Sequence, residues 1–228
     1  SLTHRFCLLV NIVSAYFLPF TSLNADTVSA LSISELSLNS HSSHSHGTLA
    51  NGLSFSLIPS TDEKEGVLAV LSCAAPKESD TQLPLLYHHA AFYATQQWNK
   101  EALQAELNDL GLDIHADGHL SIQDGQTVLH FSLPYSDEDK ILRLCNLINQ
   151  ISIHPRLCSE EVEMARNHIL DLSPDNIGIT PTTDEIRQYH DEWQKPENMH
   201  LIIYGKFKSE KIKEMIALSK IVRFDCPR

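Results

Sequence analysis

Residues 67–74 read Val-Leu-Ala-Val-Leu-Ser-Cys-Ala, a nearly unbroken apolar run of strand length. A run apolar at both odd and even positions is wet on neither face, so it predicts a central strand covered from both sides. The chain must then supply both neighbouring strands and helices to cover them. Leu53, Phe55 and Leu57 alternate with Ser54 and Ser56, which predicts a half-buried strand in a two-strand unit over Thr48–Pro59, turned at Asn51-Gly52. Gln126–Leu133 and Leu201–Gly205 add two more strands.

Helical spacing fills the stretches between. Leu83–Thr95 is one predicted helix. The next has Asn99 as cap, Trp98 and Leu103 as a staple across its first turn, and Gly111 as stop. Ser136 and Asp139 resemble a capping box before a stripe of Ile141, Leu144, Cys145, Ile148 and Ile151. Ser159 is read as the cap of a helix turning Val162, Ala165, Ile169 and Leu172 inward. Thr182 and Glu185 form a capping box for the helix with Ile186, Tyr189 and Trp193, and Glu210–Leu218 closes the series. Strands recurring between bunched helices predict an α+β fold, a layered sandwich of sheet and helices.

The N-terminal segment reads differently. His4 and Arg5 precede an apolar run over residues 6–18, followed by small and polar residues up to Ala25. That layout predicts a secretory signal peptide over residues 1–25. The run falls short of the about 20 apolar residues a span needs, and Asn11 interrupts it, so no stable membrane anchor is expected. Export to a periplasmic or extracellular space follows, leaving Cys73, Cys145, Cys158 and Cys226 under oxidising conditions with no pairing legible. Residues 26–47, rich in Ser and ending in His41, His44 and His46, read as a linker. The domain is placed at 48–220, with a tail at 221–228.

Lys and Arg total 17 against 29 Asp and Glu, a formal net charge of -12. Such a surface repels phosphate, so nucleic acid is not an expected partner. The eight Gly are scattered and form no phosphate loop. His115, His119 and His130 have no fixed helical geometry as a ligand set.

Five stretches, in order, resemble the pitrilysin/insulinase family of zinc metallopeptidases. They are Thr48–Leu53 around Asn-Gly; Leu107 to Ala116 through Leu110-Gly111; Gln126-Thr127-Val128; His154-Pro155 followed by Glu160-Glu161; and Trp193 to Gly205 through Pro196-Glu197-Asn198-Met199. The resemblance implies a metallopeptidase half-domain of the LuxS/mitochondrial processing peptidase-like type, a mixed or antiparallel sheet backed by helices. It also implies an inverted zinc motif, H-x-x-E-H, on the first long helix and a later Glu as third ligand. In that chemistry zinc lowers the pKa of bound water and the carboxylate takes the proton.

The motif position here reads Leu85-Leu86-Tyr87-His88-His89. Leu85 stands at the first ligand, His88 at the base, and His89 alone is kept. Setting Ile169 on the Val of the family's E-x-x-x-V-x-x-E pattern puts Ala165 and Leu172 on the two Glu positions. His88 and His89 are therefore remnant metal positions, no catalytic residue is assigned and no cofactor is expected. The chain is also shortened near 172–181 relative to the family. The expectation is a non-catalytic domain that pairs with an active peptidase, either as a homodimer or with a full-length homologue, in binding a peptide substrate. An apolar face around Tyr189, Trp193, Met215 and Leu218 is expected to carry that pairing. Two alternatives stand beside it: a zinc metalloendopeptidase with rewired ligands, which would carry zinc, and a truncated fragment of a larger peptidase.

Overall fold

A computed structural model describes residues 45–60, 66–76, 82–112, 120–123, 125–134, 137–172, 180–208, 210 and 212–213. All fall in the larger of the two units into which the chain divides, Ser42–Arg228. The signal peptide, most of the linker, His115, His119, Cys226, Met215 and Leu218 lie outside the described residues.

Six strands form one mixed sheet: β1 (Ser45–Thr48), β2 (Ser54–Pro59), β3 (Val67–Ala74), β4 (Leu120–Gln123), β5 (Gln126–Leu133) and β6 (Met199–Gly205), in the order β1-β2-β6-β3-β5-β4. β2 and β6 run parallel, with Phe55 opposite Leu201; every other pair is antiparallel. β3 sits between β5 and β6, and its two faces are both covered, through Ala69 and Leu71 on one and Val70 and Ser72 on the other. That accounts for its continuous apolar sequence. The sheet begins earlier than the alternation suggested, because Ser45, His46 and Gly47 pair with Leu57, Ser56 and Phe55. Gly47 belongs there because a Cβ would meet the Phe55 ring at 3.0 Å.

The helices are α1 (Gln82–Ala91), α2 (Lys100–Leu110), α3 (Glu138–Ile153), α4 (Ser159–Leu172) and α5 (Thr183–Trp193). A one-turn 3-10 helix, Pro196–Asn198, leads into β6. One core joins the sheet residues Leu57, Leu71, Phe131 and Ile203 to Leu103 and Leu107 of α2 and Ile141, Leu144 and Ile148 of α3. A second joins α1, α4 and α5 through Leu86, Tyr87, Val162, Ile169, Ile186 and Tyr189. No helix among the described residues is long and apolar enough to cross a membrane.

Several local expectations change. α1 stops at Ala91 rather than Thr95, because Thr95 makes a β-bridge to Pro155. Asp137 caps α3 by accepting from Asp139 N at 2.9 Å, one residue beyond Ser136. α4 is capped by Cys158, whose carbonyl accepts from Val162 N while Glu161 Oε2 accepts from Cys158 N at 3.1 Å. Leu172 is 61% exposed, since α4 ends there beyond the reach of its neighbours. It is the one large hydrophobic residue exposed to that degree among the described residues; Tyr189 is buried and Trp193 packs on the second core. Tyr189 therefore adds no exposed surface to the expected pairing face, whose Met215 and Leu218 lie outside the described residues. Asn99, Gly111 and the Thr182–Glu185 box cap as the sequence indicates, with Gly111 at φ 71°.

Candidate functional site

The inverted-motif position lies on α1, wedged between the sheet and α4 and α5. Leu85 is half-buried against the second core, an aliphatic group where a ligand would stand. His88 is 3% exposed, and its Nε2 hydrogen bonds Thr127 Oγ1 of β5 at 3.0 Å. Burial, then the neighbouring His89, pushes its pKa down to about 3, so the ring is neutral at physiological pH. A neutral imidazole whose Nε2 is held by a threonine hydroxyl does not supply the carboxylate of the family's base.

Tyr87 anchors the same helix. Its hydroxyl donates to the Ser152 carbonyl at 3.2 Å, which leaves its oxygen to accept from His190 Nδ1 at 3.1 Å. That fixes the His190 proton on Nδ1. Its ring also packs on Tyr189, with centroids 5.2 Å apart. Beneath this layer Cys73 is buried, and desolvation pushes its thiol up to about 12. Cys73, Cys145 and Cys158 form no disulfide with one another.

His89 is half-buried, and its ring lies 5.7 Å from that of His168 on α4. His168 was not singled out from the sequence. The signal was present one turn away from the alignment set on Ile169: Glu161-x-x-x-Ala165-x-x-His168 repeats the family spacing with His in place of the last Glu. The contact across two helices is what selects this register. Glu161 itself is turned elsewhere, buried and paired with the Arg156 guanidinium through Nε at 2.8 Å and a second bond. Glu163 pairs with Arg166, Glu160 is exposed, and His130 lies on β5 opposite Val70, away from α1.

The family-implied zinc does not fit these residues. The place offers two imidazoles, an aliphatic side chain and a histidine committed to Thr127, and no group of three or more His, Cys, Asp or Glu is placed to hold a metal among the described residues.

The comparisons with known proteins agree with the fold. Residues 181–222 match the family model described as the Peptidase M16 inactive domain. That stretch is integral to the sheet here, since it supplies α5 and β6, which is inserted between β2 and β3. The chain is 23% identical over 207 residues to the probable zinc protease PqqL of Escherichia coli strain K12, covering 75% of this chain and 22% of that protein. The first half of the periplasmic protease PqqL from Escherichia coli superposes with a TM-score of 0.66 at 19% identity, over 80% of this chain and 48% of that one. The ferredoxin protease FusC, solved in complex with Arabidopsis ferredoxin, gives 0.67 at 18% identity over 81% of this chain and 25% of its own. Pitrilysin gives 0.64 at 13% identity over 78% and 22%. The chain thus spans about a quarter of the length of PqqL, FusC and pitrilysin. It resembles the pitrilysin/insulinase proteases in sequence, and its described body is a peptidase-like domain with their fold.

Proposed function

We propose that this chain is a non-catalytic insulinase-type domain, exported from the cytoplasm, that works beside other peptidase domains in holding peptide or protein substrates. The observation that carries the reading is the fate of the motif helix. Its ligand position is Leu85, its base position is His88 buried on Thr127, and His89 faces one further imidazole. α1 packs on α4 and α5 without the donor set that the chemistry requires.

Binding is supported by the sheet edge. β4 closes the sheet beyond β5 and lies against α1. An edge strand offers backbone donors and acceptors to an extended peptide, which adds as a further strand. FusC, solved with a protein bound, supports a peptide or protein ligand, and PqqL, a periplasmic protease, supports export. A second reading, a zinc peptidase with rewired ligands, is favoured only by the His89–His168 pair. Incubating the chain with an unfolded peptide, added zinc and then chelator separates the two. The proposal expects no chelator-sensitive cleavage, and chelator-sensitive turnover would establish the second reading instead.

A further inference from the structure

We propose that Asn51-Gly52 is a modification site gated by the fold: its side-chain amide converts to an acid through a cyclic imide, and the closed 49–53 turn holds that conversion back. The chain contains one Asn-Gly pair, and it lies between β1 and β2. Asn51 is exposed, so water and base reach it. The Gly52 nitrogen, after giving its proton to base, attacks Asn51 Cγ. The N–Cγ bond forms, the Cγ–Nδ2 bond breaks, and the old amide nitrogen takes a proton from solvent and leaves as ammonia. Glycine suits this step because it has no side chain to crowd the ring. Water then opens the imide at either of its two carbonyl–nitrogen bonds. One cut gives aspartate; the other gives isoaspartate, whose main chain is one carbon longer.

Three hydrogen bonds close the turn. Leu49 N donates to Leu53 O at 2.8 Å, Gly52 N donates to Leu49 O at 2.9 Å, and Leu53 N donates to Asn51 Oδ1 at 3.1 Å. The second occupies the attacking group, because the Leu49 carbonyl stabilises the proton that Gly52 must lose. The third fixes the rotation of the Asn51 carboxamide, whereas ring closure needs it free to turn its carbon onto the Gly52 nitrogen. The Leu53 donor also polarises that carbonyl, which by itself favours attack. Alignment of the reacting atoms comes first, and it requires the turn to open.

Glu197 braces the turn from outside. Gly52 has φ 95°, and a Cβ there would meet Glu197 Cβ at 3.1 Å and the Glu197 backbone at 3.3 Å, so the turn lies against the 3-10 helix that leads into β6. Such close contact leaves the backbone little room to rearrange. The two products therefore differ in effect. Aspartate keeps an oxygen to accept from Leu53 N, whereas isoaspartate adds a carbon to a turn that has no room for it. The isoaspartate form loosens β1 and β2, and with them the pairing of β2 on β6.

The test incubates the full chain at mildly alkaline pH, folded and in guanidinium, and follows the mass of the peptide that contains residue 51. Deamidation raises that mass; isomerisation at Asp117-Gly118 or Asp124-Gly125 changes none. Conversion is expected to be at least about tenfold slower in the folded chain, because it proceeds from locally opened molecules. Hydrogen exchange measures the opening independently, and the Gly52 N–H should be protected by a factor of similar size. Equal conversion rates in the folded and denatured chain, or an unprotected Gly52 N–H, overturn the gating, and no conversion in guanidinium overturns the site itself. Chains carrying isoaspartate should exchange faster across β1 and β2 than the unaltered chain, while Asn51→Asp should not. Unchanged exchange in the isoaspartate form overturns the loosening.

Discussion

His88 is held neutral by its surroundings, and this has a consequence in solution. Its folded pKa of about 3 lies below the about 6.5 of an unfolded histidine. Between those values the unfolded chain binds the extra proton. The stability it contributes is present in full above about pH 6.5 and is lost as pH falls towards 3, at up to about 1.4 kcal/mol per unit. Burial lowers His190 and His200 in the same direction. Denaturant melts at pH 7 and pH 4.5 should show a marked loss at the lower value, and His88→Gln, which keeps a partner for Thr127 without titrating, should flatten the difference. An unchanged pH slope would mean that His88 is not buried as described. The second residue-scale prediction concerns Leu85. It stands one turn before His89 on α1, and His89 faces His168. Leu85→His therefore adds a third imidazole, and calorimetry should show zinc affinity rising by about tenfold or more, or about 1.4 kcal/mol. His168→Ala in the same chain should cancel the gain; retention of the gain would place the third donor elsewhere.

At the scale of the elements, caps and pairing decide what holds. The Thr182–Glu185 box satisfies both ends of its reciprocal bond, with Thr182 N donating to Glu185 Oε2 at 2.7 Å and Glu185 N donating to Thr182 Oγ1 at 3.3 Å. Thr182→Ala should cost about 1 kcal/mol in thermal or denaturant unfolding, and no loss would show that α5 is held by Ile186 and Tyr189 alone. Boundaries legible in the sequence are those written in local pattern. The run at 67–74 and the alternation at 126–133 became β3 and β5 residue for residue, because one is buried on both faces and the other ends in turn residues. The cap of α4 was not legible, because Cys158 is not a capping residue type and Glu161 does the work from three positions on. The placing of β6 beside β2, parallel to it, was not legible either, since 144 residues separate Ser56 from His200 and only the folded sheet brings them within 3.0 Å.

For the whole molecule, the fold class was legible because the strands and helices each announce themselves by period. The site was legible only by half. Leu85, His88 and His89 could be read as a broken motif from one helix, whereas His168 becomes relevant only when α4 packs on α1, a contact no spacing within either helix encodes. Tyr189 was misplaced for a similar reason: it looks like an outward aromatic on an otherwise polar helix, yet it closes the second core. The central claim, that this domain fold carries no competent zinc centre, is tested most directly by elemental analysis of the purified chain after exhaustive dialysis. Zinc well below one ion per chain is predicted, because two imidazoles without a third protein ligand do not retain it. About one zinc per chain, held through dialysis and lost together with His89→Ala, would contradict the account.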